Sequence, residues 1–360
     1  MKKNQTIKKN GRNKMQEITA VDLFCGAGGL TKGLEKSGIQ VNLGVDIDPA
    51  CEYPYSSNNS GVFIEQSITS LSGNDIQGYF KKGSIKLLAG CAPCQTFSTY
   101  NRKSNSTDER WWLLLEFGRL IKETLPELVT MENVPGLIEQ DVFDAFRKGL
   151  IKSGYKVDYK VINCSKYGLP QNRRRLVLLA SRIGEIRLLE PKEFTRKTHK
   201  TVKETIGNLE PIGAGEQLLA DPLHKSAALS KLNLKRIKVS KPGGTWRDWP
   251  KNLVADCHKK QSGKTYVGVY GRMKWDEPSP AITTQFMGFG NGRFGHPKQH
   301  RGLSLREGAM LQGFPKSYKF VKKGEEPINK VIGRLVGNAV PVTLGHLIGK
   351  SIIKHVESWT

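Results

Sequence analysis

The stretch ITAVDLFCGAGGLTKGLEKSG (18–38) decides the fold. An apolar run, ITAVDLF, stops at the glycine turn CGAGG, and LTKGLEKSG then carries a helix-period pattern. Strand, tight glycine turn and helix form the opening unit of an α/β sheet. Outward from it, the same alternation recurs. VNLGVDI (41–47) is followed by a helical or looped segment and then by SIKLLAG (84–90). A helical stretch, WWLLLEFGRLIKETL (111–125), leads to ELVTMENV (127–134), and a helix around 141–153 precedes YKVDYKVIN (155–163) and RRLVLLASR (174–182). Short apolar runs alternating with helix-period segments predict an α/β fold: a mixed, mostly parallel sheet with helices on both faces. In such sheets sites form beyond the carboxyl ends of the strands. Gly26 to Gly29, Asp46, Cys94 and Glu132 all stand at or just after a strand end.

After about residue 183 the pattern changes. Residues 186–300 are loop-rich, with Gly, Pro, Lys and Trp dispersed, and show no strong helix periodicity. They read as a second, smaller domain of irregular or β character. Helix-like patterns return at 303–314 and at the C-terminus. The expected organisation is a basic arm at 1–16, a main domain from 17–185 and 301–360, and the smaller domain between.

The 360 residues include 57 Lys plus Arg against 33 Asp plus Glu, a net charge of +24. An excess this large favours a polyanionic partner, because phosphate binding releases condensed counterions. The first 16 residues carry six basic side chains and no acid. No apolar run reads as approaching the ~20 residues of a membrane span, so a soluble, cytoplasmic protein is expected. Six scattered cysteines in a chain this long do not make a disulfide framework.

Four motifs carry chemistry. In DLFCGAGGL (22–30) the glycines let the backbone approach a ligand, and Asp46 after the second run can accept from ribose hydroxyls. The dinucleotide pattern GxGxxG fails at Thr31, yet the turn suits an adenosyl group without a pyrophosphate; a structural glycine turn is the competing reading. GCAPCQTFS (90–98) holds a CxxC. A zinc site needs four ligands, and neither a second CxxC nor a matched His pair is present, which argues against a zinc centre and leaves a redox or zinc protein as the last alternative. A single nucleophile at Cys94 explains the setting better than a redox pair, with Pro93 stiffening the turn and Gln95 and the following loop offering donors. Cys91 is then expected to be a small buried residue outside the chemistry. Glu132 in MENV is a carboxylate ending an apolar strand, costly to bury without a role; an ion-paired or capping Glu is the alternative. In QNRRR (171–175), alternation puts Arg173 and Arg175 on one face, though a solvated basic strand end would look the same.

Together and in this order, these motifs resemble the DNA cytosine-5 methyltransferase family, of the bacterial restriction-modification type. DLFCGAGG is similar to its first signature, GCAPCQTFS to its Pro-Cys-Gln nucleophile loop, MENV to its Glu-Asn-Val motif and QNRRR to its Gln-x-Arg-x-Arg motif. RGLSLREGAMLQGFP (301–315) and VGNAVP (336–341) resemble the last two signatures.

The resemblance implies a Rossmann-like, S-adenosylmethionine-dependent methyltransferase fold, with 186–300 as the target recognition domain. It implies that Cys94 adds to C6 of cytosine, that Glu132 holds N3 and the amine, and that Arg173 and Arg175 hold the O2 side and nearby backbone. The cofactor pocket carries over to Phe24, Gly26, Gly28, Asp46, Ile47, Ser67, Pro93, Asn338 and Val340. Two of these depart from the usual pattern: Asp46 where Glu is commoner, and Ser67 where an acid binds the adenine amine. DNA-side contacts carry over to Gln95, Ser98, Asn133 and Gln171, with Thr283 and Thr284 at the end of the recognition segment. The implied partners are double-stranded DNA, as a monomer associated with the nucleoid, and a cognate restriction endonuclease as functional partner. An RNA-methylating enzyme of the same family and a catalytically silent DNA-binding regulator are the alternatives.

Overall fold

A computed structural model describes residues 16–93 and 112–359. Seven strands form one sheet: β1 (Ile18–Leu23), β2 (Gln40–Asp46), β3 (Val62–Glu65), β4 (Ile85–Gly90), β5 (Leu128–Asn133), β6 (Lys156–Asn163) and, after the two-residue β7 (Gln171–Asn172), β8 (Arg174–Ser181). Their order is β3-β2-β1-β4-β5-β8-β6. β1 to β5 pair in parallel, and β8 runs antiparallel to both β5 and β6. The mixed, mostly parallel sheet expected from the alternation is therefore present.

β1 shows why these residues form a central strand. All six are buried, so both faces must be covered. Ile18 and Ala20 pack with helices Gly29–Ser37 and Val342–Trp359, through Leu30, Leu34, Leu344 and Ile348. Val21 and Leu23 pack on the other face with Leu114, Phe117 and Phe146, from helices Trp112–Thr124 and Asp141–Lys152. Each fully buried Leu or Phe contributes about 1.5–3 kcal/mol relative to exposure.

β3 lies in the segment whose pattern reads as helical or looped. It is an edge strand in which no side chain is buried, so it carries no apolar alternation to detect. Against the expectation that no apolar run approaches a membrane span, the C-terminal segment Asn329–Trp359 is long and apolar enough to cross a membrane. It is 72% buried over its most apolar window, so its apolarity faces the core of this protein.

Within 186–300 the backbone is mostly irregular. The β content is the antiparallel pair β9 (Gln217–Leu218) and β10 (Asp221–Lys225), β11 (Ser279–Pro280), which pairs with β7, and isolated bridges from Gly295 to Arg272 and Gly302. A nine-residue helix, Lys231–Val239, is also present; only two of its residues are buried, so apolar periodicity does not mark it. One small cluster here, Ile237, Trp246, Trp249 and Phe289, is separate from the others. Val202, Ile282 and Phe286 instead share a core with Leu305, Leu311, Ile332 and Val336 of the C-terminal part.

Candidate active site at the carboxyl edge of the sheet

At the end of β1 the chain turns sharply. Phe24, Gly26 and Gly28 take φ of 59°, 54° and 82°, the left-handed region that favours glycine and that Phe24 occupies at a cost. Gly26 N–H donates to Asp46 Oδ2 at 2.8 Å, and Asp48 N–H donates to Asp46 Oδ1 at 3.0 Å. Burial raises the Asp46 carboxyl above its ordinary range while these backbone donors pull it back. Ile47, next in line, is 69% exposed. A Cβ built on Gly26 would meet nothing within 4 Å, so the space over the turn is open. Beneath it the packing is close: a Cβ on Gly29 would lie 2.1 Å from the Val340 carbonyl oxygen. That contact brings VGNAVP beside β1, with Val340 buried and Asn338 exposed at the end of helix Asn329–Asn338. Asp48 also pairs with Arg334 of that helix. Ser67 is half-buried after β3 and engaged locally, accepting from Thr69 N–H at 3.3 Å and sharing a 2.8 Å contact with Thr69 Oγ1.

Two strands further along the same edge, β5 ends at Glu132 and Asn133. Glu132 is 3% exposed. Its Oε1 lies 2.7 Å from Arg175 Nε, and its Oε2 accepts from Cys91 Sγ at 2.8 Å. The antiparallel sense of β8 makes this possible: its first residues lie where β5 ends, with Asn133 opposite Leu176. A parallel β8 would start at the far edge. Asn133 Nδ2 donates to the Ala92 carbonyl at 3.0 Å and so ties the segment before Pro93 to β5; Pro93 itself is half-buried.

Arg173 and Arg175 have different surroundings. Arg173 is buried, donating from Nη1 to the Ile282 carbonyl at 2.9 Å and from Nη2 to the Gly337 carbonyl at 3.1 Å. Burial first, and the Arg175 charge second, lower its guanidinium to about 9. Gln171, also buried, donates to the Leu311 carbonyl at 3.1 Å and to Gln312 Oε1 at 2.7 Å, and accepts from Ile282 N–H at 2.9 Å. Gln312 Nε2 donates on to the Ala339 carbonyl at 2.7 Å. QNRRR thus joins the sheet, the 279–284 segment and VGNAVP. The backbone of Thr283 and Thr284 packs against helix Asn329–Asn338, where a Cβ on Gly337 would lie 2.4 Å from Thr284 N.

The structure therefore brings Glu132, Arg175 and Asn133 together, with Phe24, Gly26, Asp46 and Ile47 along the same edge. It places Arg173 and Gln171 in a buried connecting network, whose partner Gln312 carries no sequence signal of its own. Cys94, Gln95 and Ser98 lie outside the described residues. Cys91 departs from expectation: it is half-buried and bonded to Glu132. Its proximity to β5 follows from the β4–β5 pairing, which one strand's sequence does not reveal.

An open glycine turn with a carboxylate at the end of the next strand, on a seven-stranded sheet of this order, defines a Rossmann-like methyltransferase fold. The profile of the C-5 cytosine-specific DNA methylase family matches residues 18–354. The chain is 48% identical over 340 residues to the type II methylase M.HgiDII of Herpetosiphon aurantiacus, covering 94% of this chain and 95% of that protein. It is 31% identical over 348 residues to the type II methyltransferase M1.HphI of Haemophilus parahaemolyticus, covering 94% and 87%. The solved Entamoeba histolytica methyltransferase EhMeth superposes with a TM-score of 0.66 at 17% identity, over 94% of this chain and 99% of that one. The chain belongs to the C-5 cytosine-specific DNA methylase family. It is a DNA (cytosine-5)-methyltransferase of the bacterial restriction-modification type, and S-adenosylmethionine is its methyl donor.

The residues present fit that cofactor. The open space over Gly26, the Asp46 carboxylate beside it and the exposed apolar Ile47 suit an adenosyl group with ribose hydroxyls.

Proposed function

We propose that the protein methylates C5 of a flipped-out cytosine within a specific duplex sequence, through a covalent bond between Cys94 and C6. The observation that carries this reading is the buried Glu132 carboxylate, held between Arg175 and Cys91 at the end of β5. C5 of cytosine is a poor nucleophile. Addition of the Cys94 thiolate to C6 makes the ring electron-rich at C5, so one hard step becomes several easier ones. S-adenosylmethionine, when bound, supplies an electrophilic methyl group to that carbon. Loss of the C5 proton and elimination of the thiolate then restore the aromatic ring and the free Cys94.

The Glu132 carboxyl group accepts from the exocyclic amine and shares a proton with N3, which both identifies cytosine and stabilises the ring during addition. The Arg175 guanidinium lies beside Glu132 and faces the O2 side, where charge develops. Arg173, with both terminal nitrogens on backbone carbonyls, acts by positioning this segment. Asp46 and Ile47 hold the ribose and adenine, Ser67, Asn338 and Val340 border them, and Pro93 shapes the loop between the two sites. The target base is inaccessible within a duplex, and extruding it costs a few kcal/mol. Residues 186–300, rich in basic and aromatic side chains, read the target sequence, with Gln95, Ser98, Thr283 and Thr284 on the DNA side. The enzyme acts as a monomer on DNA in the cytoplasm, alongside an endonuclease of the same specificity.

Duplex DNA carrying 5-fluorocytosine at the target position tests this. The fluorine cannot leave, so a covalent complex stable to denaturation is expected with the wild type and not with Cys94→Ser. No complex with the wild type would overturn the covalent route, and methyl transfer to tRNA without transfer to duplex DNA would overturn the substrate.

A further inference from the structure

We infer that Cys91 is a positioning residue for Glu132, and that its thiol donor sets the orientation of the carboxylate that meets the base. The inference rests on the proposed role of Glu132. Cys91 follows the last residue of β4, and its N–H donates to the Leu23 carbonyl at 3.3 Å, one step beyond the β1–β4 pairing. The next carbonyl, of Ala92, is held by Asn133 Nδ2 at 3.0 Å. The Cys91 backbone is therefore pinned to β1 on one side and to the end of β5 on the other. Gly90 lies opposite Met131 in the parallel β4–β5 register, so the next residues along the two chains are Cys91 and Glu132. The thiol reaches across to Glu132 Oε2 at 2.8 Å.

The terminal torsion of a glutamate is broad, so one contact leaves its carboxyl plane free to turn. Arg175 Nε occupies Oε1 at 2.7 Å and Cys91 occupies Oε2. Two donors on two oxygens define one plane. Each oxygen keeps further acceptor capacity for a ligand, since an ionised carboxylate offers about four lone-pair sites. Glu132 is 3% exposed, so bulk water cannot readily replace a lost donor. A thiol is a weak donor in general, but the acceptor here is a carboxyl group that also pairs with a guanidinium, which strengthens the bond.

Three variants of the full chain test this on unmethylated plasmid DNA carrying the target sequence mapped by bisulfite sequencing, with radiolabelled S-adenosylmethionine. Cys91→Ala removes the donor and is expected to lower single-turnover kcat about tenfold, the effect of one hydrogen bond to a charged group, with KM for the cofactor unchanged. Cys91→Ser keeps an O–H donor and is expected to recover most of that loss. Glu132→Gln tests the role on which the inference rests and is expected to lose far more activity than either cysteine variant. Wild-type kcat in Cys91→Ala, or equal losses in both cysteine variants with a lowered Tm, would overturn the inference and leave packing alone. Full activity in Glu132→Gln would instead overturn the role assigned to Glu132.

Discussion

Glu132 and Asp46 stand at the same edge of one sheet, at the ends of β5 and β2, and are held by different groups. Glu132 meets side chains: a guanidinium from β8 and a thiol from the residue after β4. Asp46 meets backbone: the N–H groups of Gly26 and Asp48. Backbone donors are present whatever the side chain, so the β2 edge tolerates variation that the β5 edge does not. This bears on the two departures in the cofactor pocket. An Asp in place of Glu at position 46 still reaches its amide donors, and the Ser67 hydroxyl is satisfied by Thr69. Under the proposed mechanism the difference also separates two kinds of work: the β5 edge carries charge placed for chemistry, and the β1–β2 edge shapes the cofactor site.

The sharpest way to break this comparison is Glu132→Gln. A preorganised charged group at the reacting base supports about a thousandfold in kcat, or about 4 kcal/mol. Cofactor affinity should stay within about twofold, because the cofactor edge is built separately. Single-turnover methylation with isothermal titration checks both; a kcat within tenfold of wild type would remove the distinction.

Asp22, on β1 beneath the cofactor turn, gives a second effect of similar size, in stability. It is buried, accepts from Thr31 Oγ1 at 2.6 Å, and burial raises its carboxyl to about 7 from an ordinary 3.8. The folded chain therefore keeps a proton there that the unfolded chain releases. Stability from this group is complete below about pH 4 and is lost as pH rises to about 7, by up to about 4 kcal/mol. Asp22→Asn mimics the protonated form. Urea unfolding should show it matching the wild type near pH 4 and exceeding it near pH 8.

Arg173→Met sharpens the contrast between the two arginines. Two buried carbonyls, of Ile282 and Gly337, would lose their donors, at about 3 kcal/mol in all. The expected result is a lowered urea midpoint with methylation largely kept at low temperature. Arg175→Met should lose activity even at low temperature, and it lowers the midpoint as well, because Glu132 is left buried without its cation. The smallest effect is Asp46→Asn, which keeps an acceptor for only one of the two backbone donors and weakens cofactor binding about tenfold without changing single-turnover kcat at saturation.

Much of this was legible in the chain. β1, β2, β4, β5 and β8 are apolar through most of their length because central strands are buried on both faces. The edge strand β3 and the helix Lys231–Val239 were not, because few of their side chains are buried. Glu132 stood out as a carboxylate ending an apolar run. Arg173 and Arg175 looked equivalent by alternation, yet they ended in different environments, because β7 and β8 are separate strands with Arg173 between them. Cys91 looked idle only because its partner lies 41 residues away.

By itself the sequence determined the α/β class, the glycine turn, the charge excess and the placement of Asp46 and Glu132 at strand ends. These are properties of single segments, set by burial period and turn chemistry. The tertiary structure alone decided which groups meet. The antiparallel sense of β8 carries Arg175 to Glu132, β4–β5 pairing carries Cys91 there, and Arg173 reaches carbonyls 109 and 164 residues away. Such contacts depend on strand order and direction, which follow from how all the segments share two cores and not from the pattern of any one of them.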